Sequence, residues 1–279
     1  MLINDHGILY VVATPIGNLA DITLRALEIL KTVDLIAAED TRHSKILLQH
    51  YGITTKMMAL HDYNENEKSK FLLDLLLAGK NVALISDAGT PLISDPGYHL
   101  VSMISAHHVK VVTVPGACAL IAALSIAGLP TDKFIFEGFL PVKVQALCTR
   151  LQELSSETRT IVLYEAPHRL LNLIAALLKV FGGNRYVVLT RELTKTFETV
   201  YGGSLVAVQQ WLHEDIKRQK GEFVILLKGA EARKITDEES DRILKILLQK
   251  LSVKDAAALA AEITGGSKRE LYQQALQRR

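Results

Sequence analysis

Short apolar runs alternate with longer helical patterns over the first 128 residues. Five of the runs are rich in β-branched residues and almost continuously apolar, which is typical of strands buried on both faces of a sheet. They span residues 9–13, 35–38, 56–60, 82–86 and 111–114. Because helical segments of suitable length separate them, the pattern predicts an α/β fold with a mostly parallel sheet. Ligands of such sheets bind at the carboxyl ends of the strands, so the loops after these runs are where chemistry is expected.

A second set of strand patterns begins after a pause at residues 128–132, which contain Gly, Pro, Thr and Asp. These strands are predicted at residues 134–138, 160–164, 186–190, 198–202 and 222–228, with helices over 169–181 and 204–211. We therefore expect two α/β domains, the first over residues 1–129 and the second over residues 130–230.

The chain becomes charged and helical after residue 230. Two capping-box patterns, Ser252 with Asp255 and Ser267 with Glu270, each predict the start of a helix. A turn of the sequence TGG at 264–266 separates these helices, which suggests a helix-turn-helix arrangement. Residues 242–279 hold eight basic and three acidic residues, as expected of a surface that faces phosphate and equally of a solvated helical face. We expect a third, helical module over residues 231–279.

The composition is that of a folded globular protein, with 49% hydrophobic and 22% charged residues among 279. A net charge of +2 excludes an overall basic surface, so any nucleic-acid contact has to be local. Cys118 and Cys148 form no CxxC group, so neither a disulfide framework nor a metal site is expected. The longest apolar stretch, 117–130, is shorter than the roughly 20 residues that span a bilayer and is predicted to be a buried helix. With no signal-peptide pattern at the start, we expect a cytoplasmic protein without membrane contact.

The sequence does not decide the function of two loops in the first predicted domain. The loop at 14–19 follows a strand but lacks both the GxGxxG and the GxxxxGK[ST] patterns, which disfavours a dinucleotide fold and a P-loop NTPase. The loop at 39–42, with the sequence EDTR, gathers three charges at the end of an apolar strand. This cluster suits an active site, and it equally suits a helix cap in which Asp40 is the N-cap and Arg42 is solvated.

The loop at 86–97, SDAGTPLISDPG, is the most distinctive segment of the chain. Its Gly and Pro residues allow sharp turns and a close approach to a ligand, and Asp87 at the strand end is placed to accept ligand hydrogen bonds. The loop at 114–119, VPGACA, presents small residues and the start of a helix. Cys118 is predicted to be a small packing residue, not a nucleophile.

Eight segments carry a family resemblance across nearly the whole chain. They are YVVATPIGNLADIT (10–23), AEDTR (38–42), SDAGTPLISDPG (86–97), VPGACA (114–119), EGFLP (137–141), TIVLYEAPHRL (160–170), RELTKTFE (191–198) and SVKDAAALAAEITGGSKRELYQQAL (252–276). Together they resemble the S-adenosylmethionine-dependent tetrapyrrole methylase family, in particular its branch of bacterial small-subunit (16S) ribosomal RNA cytidine 2′-O-methyltransferases. Two departures are Cys118, where the family usually has Ser, and residues 142–150, which keep only two basic residues.

The resemblance implies two α/β domains with S-adenosyl-L-methionine in the cleft between them, a small helical C-terminal domain, and a homodimer. The implied substrate is the ribose 2′-hydroxyl of a cytidine in 16S ribosomal RNA, either free or in the assembled 30S subunit. The implied cofactor-binding residues are Pro15, Asp87, Gly89, Thr90, Cys118, Ala119, Tyr164 and Ala166.

Catalysis of this transfer needs a proton acceptor and a means of positioning the hydroxyl. Asp40, Glu165 and Glu192 each lie at the end of a predicted strand, so we expect these carboxylates to converge on one cleft. Arg42 is placed to orient an acid or to bind a substrate phosphate. Lys195 is a further candidate for phosphate contact and ranks below the acids.

Two other functions stay open from the sequence. One is a tetrapyrrole C-methyltransferase, which would have the same fold but no need for a basic helical module. The other is a non-catalytic regulator that binds cofactor or RNA, which the intact acidic loops argue against.

Overall fold

The structure is a computed structural model that describes residues 6–61, 63–231 and 237–277. It contains two compact units, Met1–Ala230 and Glu231–Arg279. The first unit contains two five-stranded sheets, one within each of the ranges where an α/β domain is predicted. The predicted limit at residue 129/130 falls between the last helix of the first sheet and the first strand of the second.

The first sheet is parallel at every strand pair, with the strand order β3-β2-β4-β1-β5. Its strands are β1 (Ile8–Val12), β2 (Leu35–Ala38), β3 (Met57–Ala59), β4 (Val82–Ile85) and β5 (Lys110–Val114). The connecting helices are α1 (Leu24–Thr32), α2 (Thr41–His50), α3 (Glu65–Leu77) and α4 (Tyr98–Ala106), and α5 (Ala119–Ile126) follows the last strand. The predicted parallel α/β sheet is confirmed, with each strand within two residues of its expected limits.

The strand order brings three loops together at the carboxyl edge of this sheet. Because β4 lies between β2 and β1, the loops that leave these strands emerge side by side. Thr14 and Gly89 join two of them through a pair of backbone hydrogen bonds of 2.8 and 3.1 Å. The Thr14 hydroxyl also donates to the carbonyl of Ser86 over 3.1 Å, so the first and fourth loops hold each other in place.

The second sheet is mixed, with the strand order β6-β7-β10-β8-β9. Its strands are β6 (Phe134–Phe139), β7 (Thr160–Glu165), β8 (Tyr186–Arg191), β9 (Thr199–Ser204) and β10 (Phe223–Leu227). Only β6 and β7 are parallel, and the remaining pairs are antiparallel. The helices are α6 (Val144–Leu154), α7 (Leu170–Phe181) and α8 (Leu205–Glu214). All five predicted strands are confirmed.

The two faces of the second sheet have different partners because side chains alternate along each strand. Ile161 and Leu163 of β7 face a core shared with α6, α7 and α8. Val162, between them, faces the opposite core, which includes Leu120 and Ala123 of α5. One helix of the first domain therefore covers the open face of the second sheet.

The apolar stretch that includes α5 is only partly buried. Leu120, Ala123 and Leu124 are buried, whereas Ile121 is 54% exposed and Ile126 is 45% exposed. The prediction of a buried helix is correct for the face against the second sheet and wrong for the other face. An apolar run shows that a helix can be buried but not how many of its faces find a partner.

The C-terminal unit contains α9 (Asp237–Leu248), α10 (Val253–Thr264) and α11 (Lys268–Leu276). Both capping predictions are confirmed: the Ser252 hydroxyl accepts from the backbone N–H of Asp255 over 3.2 Å, and Ser267 caps α11 in the same way. Leu244, Ala256, Ala260 and Leu271 are among the buried residues that join the three helices. Arg278 and Arg279, part of the predicted basic surface, lie outside the described residues.

Candidate active site

A cavity of about 300 Å³ lies between the two sheets of the first unit. On one side its wall comes from the loops after β4 and β5, which contribute Thr90, Asp95 and Cys118. On the other side it comes from the end of β7 and the adjacent start of β10, which contribute Tyr164 and Glu165 among others. The volume falls at the lower end of the range for small-molecule sites. We call it the interdomain cavity.

A second cavity, of about 420 Å³, opens beside it and shares part of its wall. Ile16, Ala88 and Glu222 line both cavities. The second cavity also contacts His43 of α2 and Lys195 from the loop after β8. We call it the outer cavity. The shared wall means that ligands in the two cavities would lie next to each other.

The predicted cofactor-binding residues divide between the two cavities. The interdomain cavity is lined by Gly89, Thr90, Cys118, Ala119, Tyr164 and Ala166. The outer cavity is lined by Pro15 and Asp87. The eight residues thus come from four segments that are far apart in sequence and adjacent in space.

Direct hydrogen bonds tie these loops together across the cavity. The Thr90 hydroxyl donates to the carbonyl of Ala117 over 3.0 Å, which joins the loop after β4 to the one after β5. The Tyr164 hydroxyl accepts from the backbone N–H of Leu120 in the first turn of α5 over 2.9 Å. Phe136 and Phe139 contact the Tyr164 ring edge-on, with ring centroids 4.9 and 5.8 Å away. Tyr164 is therefore the polar link between the second sheet and α5.

Replacing Tyr164 by Phe should lower the free energy of unfolding by about 1–3 kcal/mol, because a partly buried N–H in the first turn of α5 loses its acceptor. We also expect weaker cofactor binding, since the link between the two walls is lost. Urea denaturation and calorimetric titration measure the two effects. Phe136→Leu, which alters ring packing but removes no hydrogen bond, is the control. An unchanged unfolding free energy in Tyr164→Phe would show that the hydrogen bond contributes nothing.

The loop at 86–97 is held in an unusual backbone conformation. Gly89 and Gly97 have φ of 85° and 124°, and the non-glycine residues Leu92 and Ser94 have φ of 73° and 69°. A Cβ at Gly89 would lie 3.2 Å from the Cγ2 atom of Ile16, so the close approach of the first loop also requires glycine. Left-handed conformations at non-glycine residues cluster at functional sites. Here they direct one loop along the cavity wall.

Glu165 is the one predicted catalytic acid that lines the interdomain cavity. Its side chain is almost completely buried, and Oε1 accepts from the backbone N–H of Ala166 over 2.9 Å and lies 3.2 Å from Nε of Arg169. Oε2 is buried and has no hydrogen-bond partner among the described residues. Burial raises the pKa of Glu165, and the Ala166 N–H and Arg169 only partly oppose it. A carboxylate with one unsatisfied oxygen and a raised pKa is suited to accept a proton.

Asp40 and Arg42 do not line the interdomain cavity with Glu165. The Asp40 carboxylate caps α2 by accepting from the backbone N–H of Arg42 over 2.8 Å. It also binds the Arg42 guanidinium, with Nη2 and Oδ2 2.7 Å apart. The hydrogen bonds from Arg42 lower the pKa of Asp40, which makes it a poor base. The side chain of Arg42 is 90% exposed, so its charge faces solvent.

Glu192, the third predicted acid, also lies outside both cavity walls. Its φ of 52° turns the chain after β8, and Oε1 lies 3.0 Å from Nζ of Lys195 and accepts from the backbone N–H of Glu222 over 2.9 Å. Burial raises the pKa of Glu192, but the Glu222 N–H and Lys195 outweigh it and the net shift is downward. Glu192 thereby holds Lys195, which lines the outer cavity.

Asp95 is a wall residue that the sequence analysis did not select. It lines the interdomain cavity, and burial together with the nearby Glu39 raises its pKa to about 6, with Asp87 adding to the effect and a hydrogen bond to Ser86 opposing it. The signal was present in the second Ser-Asp pair of the loop. The strand-end rule favours Asp87, because Asp95 lies ten residues beyond the end of β4.

Within the described ranges no group of three or more His, Cys, Asp and Glu residues is placed to hold a metal ion. The helices described in the structure are all too short or too polar to cross a membrane.

Comparison with known families defines the class of this protein. Residues 8–209 match the family described as Tetrapyrrole (Corrin/Porphyrin) Methylases, and residues 235–279 match the RsmI C-terminal HTH domain. The chain belongs to the tetrapyrrole methylase family.

Relatives that are similar over nearly the full length of the chain carry a narrower name than the family. The chain is 53% identical over 277 residues to the protein named Ribosomal RNA small subunit methyltransferase I of Pasteurella multocida, covering 98% of both chains. It is 55% identical to the protein of that name from Pseudomonas aeruginosa, again covering 98% of both. For the Escherichia coli O157:H7 protein the identity is 52%, covering 98% of this chain and 96% of the other.

Solved structures share the fold at low sequence identity. Uroporphyrin-III-C-methyltransferase from Thermus thermophilus superposes with a TM-score of 0.56 at 19% identity, over 80% of this chain and 94% of that one. Diphthine synthase superposes with a TM-score of 0.60 at 14% identity, over 80% and 90% of the two chains. These similarities establish the architecture of the two sheets.

Proposed function

We propose that this protein transfers the methyl group of S-adenosyl-L-methionine to the ribose 2′-hydroxyl of a cytidine in small-subunit ribosomal RNA. One observation carries the proposal: the chain is 52–55% identical, over 98% of its length, to proteins named Ribosomal RNA small subunit methyltransferase I. The substrate is ribosomal RNA, free or in the assembled small subunit. That the nucleoside is a cytidine, and that the methylated atom is its ribose 2′-oxygen, rests on the resemblance of the sequence motifs.

The chemistry of the interdomain cavity suits S-adenosylmethionine. Tyr164 and Phe139 offer aromatic surfaces for a flat base or a cationic group. Gly89 leaves space where any Cβ would approach Ile16. The cofactor supplies an electrophilic methyl group on a positively charged sulfur. Gly89, Thr90, Cys118, Ala119, Tyr164 and Ala166 would hold it, and Pro15 and Asp87 would border it from the outer cavity.

We place the target nucleotide in the outer cavity. It shares Ile16, Ala88 and Glu222 with the interdomain cavity, so a hydroxyl there can approach a group bound next door. The Lys195 ammonium on its wall is held by Glu192 and Glu222 at 3.0 and 2.9 Å, and it is the proposed contact for a substrate phosphate. Positioning contributes most to such an in-line transfer, and the two adjoining cavities provide it.

Glu165 is the proposed general base. Glu165 lines the interdomain cavity, so the ribose hydroxyl has to reach into it from the outer cavity. There the unsatisfied Oε2 accepts the ribose proton, while Oε1 stays fixed by Ala166 and Arg169. Asp40 is proposed to act indirectly, by fixing the exposed Arg42 guanidinium where it can bind an RNA phosphate. Glu192 similarly positions Lys195.

The C-terminal unit is the proposed second RNA contact. Lys268 and Arg269 open α11, the second helix of the α10-turn-α11 pair, and both side chains are exposed. Phosphate contacts from these two residues would position the RNA without reading its sequence.

We also propose a homodimer, as the resemblance implies. Sedimentation at micromolar concentration should give about twice the mass of one chain. A single-chain mass that persists at higher concentration would contradict the dimer.

The experiment that tests the function uses small ribosomal subunits that lack native modifications. Transfer of labelled methyl from S-adenosylmethionine, followed by nuclease digestion and nucleoside mass analysis, should yield 2′-O-methylcytidine. A parallel reaction supplies a porphyrin precursor instead of subunits, and labelling of the precursor without labelling of RNA would reassign the enzyme to tetrapyrrole C-methylation. Cofactor binding without any labelled product would indicate a regulator.

A further inference from the structure

The wall of the interdomain cavity carries one sign of charge. Asp95, Glu165 and Glu222 line it, and none of the described residues in its wall is Lys, Arg or His. The buried Glu165 adds an oxygen without a partner. A wall with three carboxylates and no cation favours a positively charged ligand.

The three carboxylates differ in whether a cation of the protein neutralises their charge. Glu165 lies against Arg169, with Oε1 and Nε 3.2 Å apart, and Glu222 lies against Lys195, with Oε2 and Nζ 2.9 Å apart. The described groups that act on Asp95 are Glu39, Asp87 and Ser86, and none of these three is a cation. Asp95 is therefore the wall acid whose charge is left for a ligand to balance.

The surroundings of Asp95 increase this imbalance. Glu39 and Asp87, at the ends of β2 and β4, act on it as like charges, and Ser86 offers only a hydroxyl. Across the cavity, the facing titratable groups are Cys118, Tyr164, Glu165 and Glu222. None of them supplies a positive charge, so a cationic ligand is the group that relieves the repulsion.

We propose that Asp95 balances the positive sulfonium of S-adenosylmethionine and thereby makes the site prefer the cofactor to its neutral thioether product. This inference rests on the proposed function. During transfer the sulfur–methyl bond breaks, its electron pair stays on sulfur, and the new carbon–oxygen bond forms as the hydroxyl proton leaves. The sulfur loses its charge in that step, so its attraction to Asp95 is lost and the product is released more readily. Asp95 is thus a specificity-determining residue, separate from the proposed base.

Calorimetric titration of S-adenosylmethionine and S-adenosylhomocysteine into wild-type protein and Asp95→Asn tests the inference. We expect the variant to bind S-adenosylmethionine about 10-fold more weakly, a loss of about 1.4 kcal/mol, and S-adenosylhomocysteine within about twofold of wild type. Asp74→Asn, an equal change of charge at an exposed position of α3, should alter neither affinity. An equal loss for both ligands, or no loss for either, overturns the inference and leaves the proposed function standing. A wild-type protein that binds neither ligand overturns both.

A second measurement needs no variant. The pKa of Asp95 is raised to about 6, and a cationic ligand favours its ionised form. The affinity of wild-type protein for S-adenosylmethionine relative to S-adenosylhomocysteine should therefore rise between pH 5 and 7, with proton release on binding the cofactor below pH 6. A ratio of affinities that stays constant over this range contradicts the role of Asp95, even if Asp95→Asn fails to fold.

Discussion

Glu165→Gln should lower the rate of methyl transfer to ribosomal RNA by about 10²–10⁴-fold and change the affinity for S-adenosylmethionine by less than about threefold. The amide keeps the shape of the side chain and an oxygen that can accept from Ala166. It cannot take up the hydroxyl proton. Single-turnover transfer with saturating cofactor measures the chemical step directly, and calorimetric titration measures the affinity.

Asp40→Asn is the comparison that separates the two acids. Asn is as good an N-cap as Asp, so α2 keeps its start. We expect the single-turnover rate of this variant to stay within about threefold of wild type, with a higher KM for RNA because Arg42 loses its ion pair. If instead Asp40→Asn abolishes transfer and Glu165→Gln does not, the base belongs to the loop after β2. Thermal unfolding of both variants identifies any loss that comes from misfolding.

The positions of the strands follow from the sequence because strand burial leaves a direct periodic signal. The first sheet is covered on both faces, so β1, β2 and β4 are nearly all apolar. The second sheet packs on helices at both faces as well, which explains why Val162 is as buried as Ile161 and Leu163. Residue pattern alone does not fix strand direction, which is why the antiparallel pairs of the second sheet emerge only from the structure.

The candidate site is predicted less completely because a loop sequence does not fix where each side chain points. The strand-end rule selects Asp40, and the structure uses that carboxylate to cap α2. The same rule does not select Asp95. The positive φ angles of Leu92 and Ser94 turn the loop so that Asp95 lines the cavity. Neither residue is glycine, so nothing in the local sequence requires those conformations. The family resemblance identifies the loops that line the cavities better than the strand-end rule does, because its motifs cover whole loops and not single residues.

Removing the positive charge of α11 should weaken RNA binding, and this is the second large effect that we expect. Lys268→Ala combined with Arg269→Ala should raise the KM for ribosomal RNA about 10-fold or more at physiological salt, while cofactor affinity stays unchanged. Each phosphate contact contributes about 1 to the slope of log affinity against log salt, so the slope should fall by about 2. Both side chains are exposed, and the buried residues of α11, Leu271 and Ala275, are untouched. Filter binding of the RNA from about 50 to 200 mM salt measures the slope.

Gln273→Ala with Gln274→Ala is the matched control, because both residues are exposed on the same helix and carry no charge. It should leave the affinity and the salt slope as in wild type, since no counterion is released at a neutral side chain. If the double basic variant behaves like this control, the positive charge of α11 is a solvated helical face and the RNA contact lies elsewhere. A lower slope in the basic variant alone, with the thermal unfolding of both variants as in wild type, assigns the contact to α11.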